Sequence, residues 1–192
     1  LEHNGVNYIE KATFNHKYNL PLKKFKLPQN HKAFLGKSFN RMWLQGVQFN
    51  NIKIDPFTIS KFEVSNKEYQ EFVDSGGYTN PKFWDFPITI DNRSYDFKSS
   101  MKFFTGKYGK PGPANWSYGK FPSGLENHPV TGVSWFEAKA YAKYRNLEIP
   151  NVFQWLYASG TGFSGIYDST VIENSNFNSN QMREVTAVSY TH

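Results

Sequence analysis

The sequence predicts an irregular α+β domain with long loops and few regular elements. Three observations carry that prediction. From Met42 to Phe62, apolar residues alternate with polar ones as in half-buried strands. Ser65-Asn66-Lys67-Glu68 and Ser134-Trp135-Phe136-Glu137 both have the S-x-x-E form that opens a helix. Between them, residues 75–127 are rich in Gly, Pro, Asn and aromatic residues and hold no sustained period.

Residues 1–36 are polar and weakly periodic, and read as an extended N-terminal arm with one strand near Leu22–Leu27. The domain proper takes residues 37–192. Met42-Trp43-Leu44 leads to Gly46-Val47-Gln48-Phe49. Asn50-Asn51 supplies turn chemistry, and Ile52-Lys53-Ile54 alternates again. Phe57-Thr58-Ile59 and Phe62 continue the sheet.

The first helix starts at the Ser65 box. Its serine side chain can accept from the Glu68 N–H while Glu68 reaches back to the Ser65 N–H. Val64 and Tyr69 sit where a hydrophobic staple forms. Tyr69, Phe72 and Val73 share one face. Ser75-Gly76-Gly77 ends the helix, with glycine free to take the left-handed cap. Phe97, Met101 and Phe104, spaced i, i+4, i+7, suggest a short helical piece closed by Gly106 and Gly109. Lys110 to Trp116 is a rigid, proline-rich turn carrying a tryptophan. The second main helix runs from Ser134 to about Arg145. Pro150 breaks the chain, and Asn151-Val152-Phe153-Gln154 is a third box-like start whose helix ends near Gly160. Residues 161–192 read as mostly loop. No internal repeat or low-complexity segment stands out.

Composition narrows the function classes. The 192 residues contain no cysteine, so disulfides, cysteine-based zinc sites and thiol chemistry by this chain are excluded. The redox compartment is therefore unreadable. No stretch approaches the ~20 apolar residues of a membrane span. The chain begins at Leu1 with no apolar signal-type segment, which predicts a mature product or a piece of something longer. Its 18 Phe, 12 Tyr and 5 Trp can fill a core with few aliphatic residues, because each ring buries a large area.

The net charge of +6 is uneven. Residues 1–60 hold nine Lys/Arg against three Asp/Glu, and the remainder is balanced. An acidic partner such as nucleic acid or a membrane surface would use that excess. In Leu22-Lys23-Lys24-Phe25-Lys26-Leu27, however, lysines partly alternate with apolar residues, as they do where they guard a strand edge. No nucleic-acid-binding motif accompanies the charge, so nucleic acid is not the expected partner.

Catalytic constellations are sparse. The histidines (His3, His16, His31, His128 and His192) form no HxxxH or HxH pair. His128, before Pro129, reads as structural. No phosphate loop, dinucleotide fingerprint or GxSxG elbow is present. Glu63 and Glu68 have structural explanations, at a strand end and in a cap. The aromatic residues of the long loop are the more informative set: Tyr78, Phe83, Trp84, Phe86, Trp116, Tyr118 and Phe121. Rings on rigid loops can stack on sugars, peptides or bases. They can equally form a small core that ties the loop down. Tyr78, Trp84, Trp116 and Tyr118 are the candidate ligand-binding residues.

Three runs resemble the formylglycine-generating, sulfatase-modifying-factor (FGE-sulfatase) family. Ile54 through Tyr69 is similar to its "DPF-x-I-x-K-x-EVTN-x-EY" motif. His128 through Ala138 is similar to "PV-x-GVSW-x-EA". Leu147-Glu148-Ile149-Pro150 through Trp155-Leu156-Tyr157-Ala158-Ser159-Gly160 resembles "LPT-x-x-EWEYAARG" and departs from it in places. The resemblance covers about residues 40–190. Phe83-Trp84 and Thr105 to Trp116 resemble a subgroup often fused to bacterial signalling modules.

The resemblance implies a variant of the C-type lectin fold. Family enzymes oxidise a sulfatase cysteine to formylglycine with two cysteines that bind copper(I), as expected of soft thiolates. Those cysteines follow a "GN-x-WEW" run that would lie beyond His192, so the domain is C-terminally incomplete and no catalytic residue carries over. Relatives also hold calcium through an Asn at the position of Asn176 and the carbonyl of the next residue, here Phe177. The acidic loop that completes that site is missing between Asn178 and Val185, and a hard cation needs several oxygen ligands. The expectation is thus a non-catalytic recognition or sensory domain without a cofactor, part of a larger protein. Its ligand would be a glycan or peptide, and its location periplasmic or otherwise extracytoplasmic. Two alternatives stand: an oxidase whose cysteines lie beyond His192, with copper, and a basic nucleic-acid-binding domain.

Overall fold

The computed structural model describes residues 2–3, 6–9, 25–27, 30–44, 47–85 and 87–159. They divide into two compact units. One takes the described residues up to Phe62 and those from Pro150; the other takes Glu63–Ile149. Most described strands precede the first long helix, and all the sheets are small and antiparallel, so the domain is α+β.

In the first unit, β1 (Glu2–His3), β2 (Val6–Ile9) and β3 (Phe25–Leu27) form an antiparallel sheet in that order. The strand expected near Leu22–Leu27 is β3. The sequence assigns residues 31–34 to the arm, whereas β4 (His31–Phe34) pairs antiparallel with β7 (Phe57–Ser60). Phe34 faces Phe57 across that pair, and their rings stack at 5.1 Å.

β5 (Lys37–Leu44) and β6 (Val47–Ile54) pair from Lys37–Ile54 to Leu44–Val47. This corrects the turn expected at Asn50-Asn51, because β6 runs straight through it. Asn51 does take a left-handed φ of 52°, which asparagine tolerates better than most residues. The pairs on either side keep one register while Asn40–Asn51 is absent from the ladder. The left-handed residue here interrupts one rung of the ladder, and the pairing runs on to Leu44–Val47. Gly36, before β5, is needed for close approach: a Cβ there would sit 2.9 Å from the Pro56 ring.

Helix α4 (Val152–Ser159) belongs to this unit. Gln154 N–H donates to Asn151 Oδ1 and Asn151 N–H donates to Gln154 Oε1, both at 2.9 Å. Asn and Gln thus build the third capping box. Phe153 and Tyr157, one turn apart, set their edges on Phe49 and Phe34 at 5.4 and 5.5 Å.

The second unit is built on α1 (Asn66–Asp74) and α3 (Trp135–Tyr144). Both capping boxes are formed, Ser65 with Glu68 and Ser134 with Glu137. Gly76 takes the left-handed conformation after α1, with φ 78°. At the end of α3, Asn146 plays that part with φ 56°. Leu147 N–H then bonds to the Ala142 carbonyl and Asn146 N–H to that of Lys143, a Schellman motif that satisfies orphan carbonyls.

The first-turn N–H groups of α1 find backbone partners far along the chain. Asn66 N–H donates to the His128 carbonyl at 2.8 Å and Lys67 N–H to the Glu126 carbonyl at 3.0 Å. Val130 N–H donates to the Val64 carbonyl, and Ser65 bridges Pro129.

The long loop carries the short helical piece expected from Phe97, Met101 and Phe104 and a hairpin that the sequence pattern did not resolve. β8 (Ile88–Ile90) and β9 (Arg93–Tyr95) form a hairpin. Asp91 and Asn92 between them have φ of 48° and 59°, as a type I′ turn requires at both positions. Asp96 then caps α2 (Phe97–Ser100), which continues as a 3₁₀ turn over Met101–Phe103.

Tyr69, Phe72, Tyr78, Trp84, Ile88, Phe104, Trp116, Ala140 and Tyr141 make one core. Tyr69 stacks on Tyr141 at 5.2 Å and meets Trp116 edge-on at 6.0 Å. Ring pairs of this kind add about 0.5–1.5 kcal/mol each beyond their burial.

Candidate functional site

Three of the four candidate rings lie in that core. Tyr78 is 4% exposed, Trp84 5% and Trp116 0%. Trp116 offers no face to a ligand; its indole N–H reaches Asn66 Oδ1 at 3.3 Å. The Trp84 indole donates to the Gly77 carbonyl at 2.8 Å. Tyr78 donates to Glu137 Oε1 at 2.6 Å, and its oxygen lies 3.1 Å from the Tyr69 hydroxyl. The physical reason is the loop itself. A segment this long needs anchors, and a buried indole or phenol is tolerated only with its polar atom bonded. Burial pushes the Tyr69 and Tyr78 phenols far above the ordinary tyrosine range, and lifts Tyr141 to about 12. All three stay protonated at neutral pH and cannot act as bases.

The opening beside this core is a pocket of about 170 Å³. Trp84 and Ile88 line it together with Trp135 and Phe136 from the first turn of α3. Trp135 is 59% exposed. Asp85 and Lys139 supply the polar side. Lys139 Nζ lies 2.5 Å from Asp85 Oδ2, and Lys143 pairs with Oδ1 of the same carboxylate. Hydrogen bonds from Lys139 and then Lys143 hold the Asp85 carboxyl below the usual carboxylate range. Lys139 also sits 4.9 Å from the centroid of the Trp135 ring, within reach of a cation–π attraction. Apolar side chains and the Asp85–Lys139 ion pair line the pocket together.

Tyr118 is the candidate left on the surface, 67% exposed and stacked on Tyr108. It does not line the pocket. Trp135, Asp85 and Lys139 were not singled out from the sequence. Trp135 stands inside one of the family-like motifs. The contact between Asp85 and Lys139 joins segments that no local pattern links.

Residues 32–188 match the model of the sulfatase-modifying factor enzyme 1-like domain, FGE-sulfatase. The chain belongs to the FGE-sulfatase family. The resemblance carried by the three motifs is thereby confirmed. Curated relatives of this FGE-sulfatase chain include an uncharacterized protein of Bacillus subtilis strain 168, YfmG, 28% identical over 68% of the chain and 22% of the relative. Another is the hercynine oxygenase of Mycolicibacterium smegmatis, 27% identical over 54% of the chain and 23% of the enzyme. The formylglycine-generating enzyme of Bos taurus is 31% identical over 58% of the chain and 32% of the enzyme. The chain therefore spans less than a third of the length of each of these relatives.

This FGE-sulfatase chain does not itself supply the paired thiolates that the resemblance assigns to copper(I), since it has no cysteine. Among the described residues, no group of three or more His, Cys, Asp or Glu could hold a metal ion. Asn176 and Phe177, the candidate calcium ligands, lie outside the described residues. No helix among the described residues is long and apolar enough to cross a membrane.

Proposed function

We propose that this chain is a recognition portion of an FGE-sulfatase domain, with the family's C-type-lectin-like chain path, and that it performs no redox chemistry of its own. Two facts support this. The chain has no cysteine, and the amine and carboxylate that line its described pocket are paired with each other. The observation that carries the reading is the apolar pocket between Trp84 and Trp135 with its Asp85–Lys139 rim. Its volume of about 170 Å³ is below the roughly 300 Å³ at which small-molecule sites begin. A cavity of about 150 Å³ accepts a benzene-sized group. The occupant is therefore one apolar side chain of a peptide, with the peptide's polar atoms on Asp85 and Lys139.

A peptide array probed with the chain tests this. Peptides bearing an exposed aromatic or branched aliphatic residue should be retained, and Trp135→Ala should lose them without lowering Tm. Retention that survives Trp135→Ala removes the pocket from the proposal.

The named relatives favour a second reading. Two of them are an oxygenase and a formylglycine-generating enzyme. In this reading the chain is part of an oxidase whose cysteines lie beyond His192, and copper would bind there. The full-length reading frame decides it: paired cysteines after a Trp-Glu-Trp-like run support the oxidase, and their absence supports recognition alone.

A further inference from the structure

The second unit carries two turns of the same sequence. Tyr108-Gly109-Lys110 and Tyr118-Gly119-Lys120 lie ten residues apart. In each, tyrosine and glycine both take positive φ: 65° and 70° in the first, 53° and 73° in the second. Two successive positive φ values are the signature of a type I′ turn, whose central positions favour Asn, Asp and Gly. A bulky aromatic residue there is a genuine outlier.

The two turns are held side by side. Lys107 forms a parallel bridge with Ser117, and its N–H donates to the Trp116 carbonyl at 2.7 Å. Gln70 of α1 anchors the second turn by donating to the Gly119 carbonyl at 3.1 Å, and Lys120 pairs with Asp74 at 3.0 Å. The Tyr108 and Tyr118 rings consequently stack, with centroids 4.4 Å apart and planes 9° from parallel. They are 69% and 67% exposed. Core packing does not account for them, since each turn would close more easily with asparagine. Strained backbone that displays exposed rings in a fixed orientation points to a contact made with something else.

The surrounding charge indicates what that is. Between Phe97 and Leu125 the chain has five lysines and no Asp or Glu. Lys107 and Lys110 flank the first turn, and both are exposed. The partner is therefore anionic. Single-stranded nucleic acid is the poorer fit, because its binders stack successive bases on separate rings. Here the two rings close on each other and leave only their outer faces. A sugar ring needs one such face, against which its C–H groups meet the negative π surface.

We propose that Tyr108 and Tyr118 form a stacking platform for an acidic polysaccharide, with Lys107 and Lys110 taking its negative groups. This site is separate from the peptide pocket and stands whether or not that pocket binds.

Affinity electrophoresis of the 192-residue chain through polygalacturonate, dextran sulfate, neutral dextran and a dT oligonucleotide tests the proposal. Retardation by one or both acidic polymers is expected, with neutral dextran inert. The polymer that retards more identifies carboxylate or sulfate as the preferred group. Tyr108→Asn and Tyr118→Asn should weaken retention by roughly fivefold to tenfold, while Tm is unchanged or raised because asparagine suits a left-handed position. Lys107→Gln with Lys110→Gln should weaken it as well. Three results would overturn the proposal: no retardation by either acidic polymer, equal or stronger retardation by dT, or retention untouched in the asparagine variants. A fall in Tm of those variants would make the ring pair structural and overturn it too.

Discussion

The Tyr78 hydroxyl donates to one oxygen of Glu137, while the other oxygen of that carboxylate accepts from the Ser134 N–H at 2.7 Å. One buried side chain thus starts α3 and fastens the loop after α1. Glu137→Ala leaves the buried Tyr78 phenol to the Tyr69 hydroxyl and unpairs the Ser134 N–H. We expect it to cost about 3 kcal/mol or more, against about 1–3 kcal/mol for Tyr78→Phe. Urea unfolding followed by circular dichroism measures both. A Glu137→Ala variant within 0.5 kcal/mol of the parent, well under that figure, would show that the pair contributes little.

Trp116→Ala should destabilise the second unit by about 3–5 kcal/mol, as expected for a large ring removed from a core. Its Tm should fall whether or not a ligand is present. If the variant instead kept its Tm and lost only ligand binding, Trp116 would be a binding residue after all.

Gly76 and Gly77 have different reasons to be glycine. Gly76 supplies the left-handed cap, whereas a Cβ on Gly77 would lie 2.2 Å from the Phe72 ring. Phe72 is fully buried and has nowhere to move. Gly77→Ala should therefore cost about 1–3 kcal/mol by overpacking. Gly109→Ala is the control. Its Cβ would meet open space, so only the left-handed φ of 70° is penalised, at about 1 kcal/mol. Equal effects in thermal melts would contradict the steric account.

Asp85 makes a pH prediction. Its lysine partners hold its folded-state carboxyl below the ordinary value. The contribution is thus complete above the unfolded-state pKa of about 3.9. It is lost as pH falls through the depressed folded value. The Tm gap between the parent and Asp85→Asn should be constant at neutral pH and shrink below about pH 4. The carboxylate is half exposed, so the gap should be small and should narrow with added salt. A gap that widens in acid would reverse the sign and refute the pairing.

What was legible in the sequence was whatever local chemistry decides. Ser65, Ser134 and Asn151 each start a helix because a capping box is an arrangement of four consecutive residues. Gly76 ends one because only a few residues enter the left-handed region cheaply. Asn50-Asn51 misled for the same reason: the pattern shows that a residue can take positive φ, not what the chain does with it. Asp91-Asn92 carried the better hairpin signal and lay unrecognised between short strands in a glycine- and proline-rich stretch. The pocket was not legible, because Asp85 meets Lys139 only after the loop has folded onto α3. Among the four candidate rings, exposure separated Tyr118 from Tyr78, Trp84 and Trp116, and exposure is a property of the packed chain. The Tyr-Gly-Lys doublet is visible in the letters, but its meaning depends on backbone angles that favour other residues.

The start of α1 has a consequence for the order in which this unit assembles. Its first N–H groups are closed by carbonyls of Glu126 and His128, some sixty residues downstream. Nothing local can take their place until that distant segment arrives. The helix can nucleate early, but its end stays open to water through most of the folding reaction. Closing so long a loop is entropically slow, so this docking step is the natural bottleneck of folding. A nascent chain that has not yet reached His128 would lack the carbonyls that close the first turn of α1.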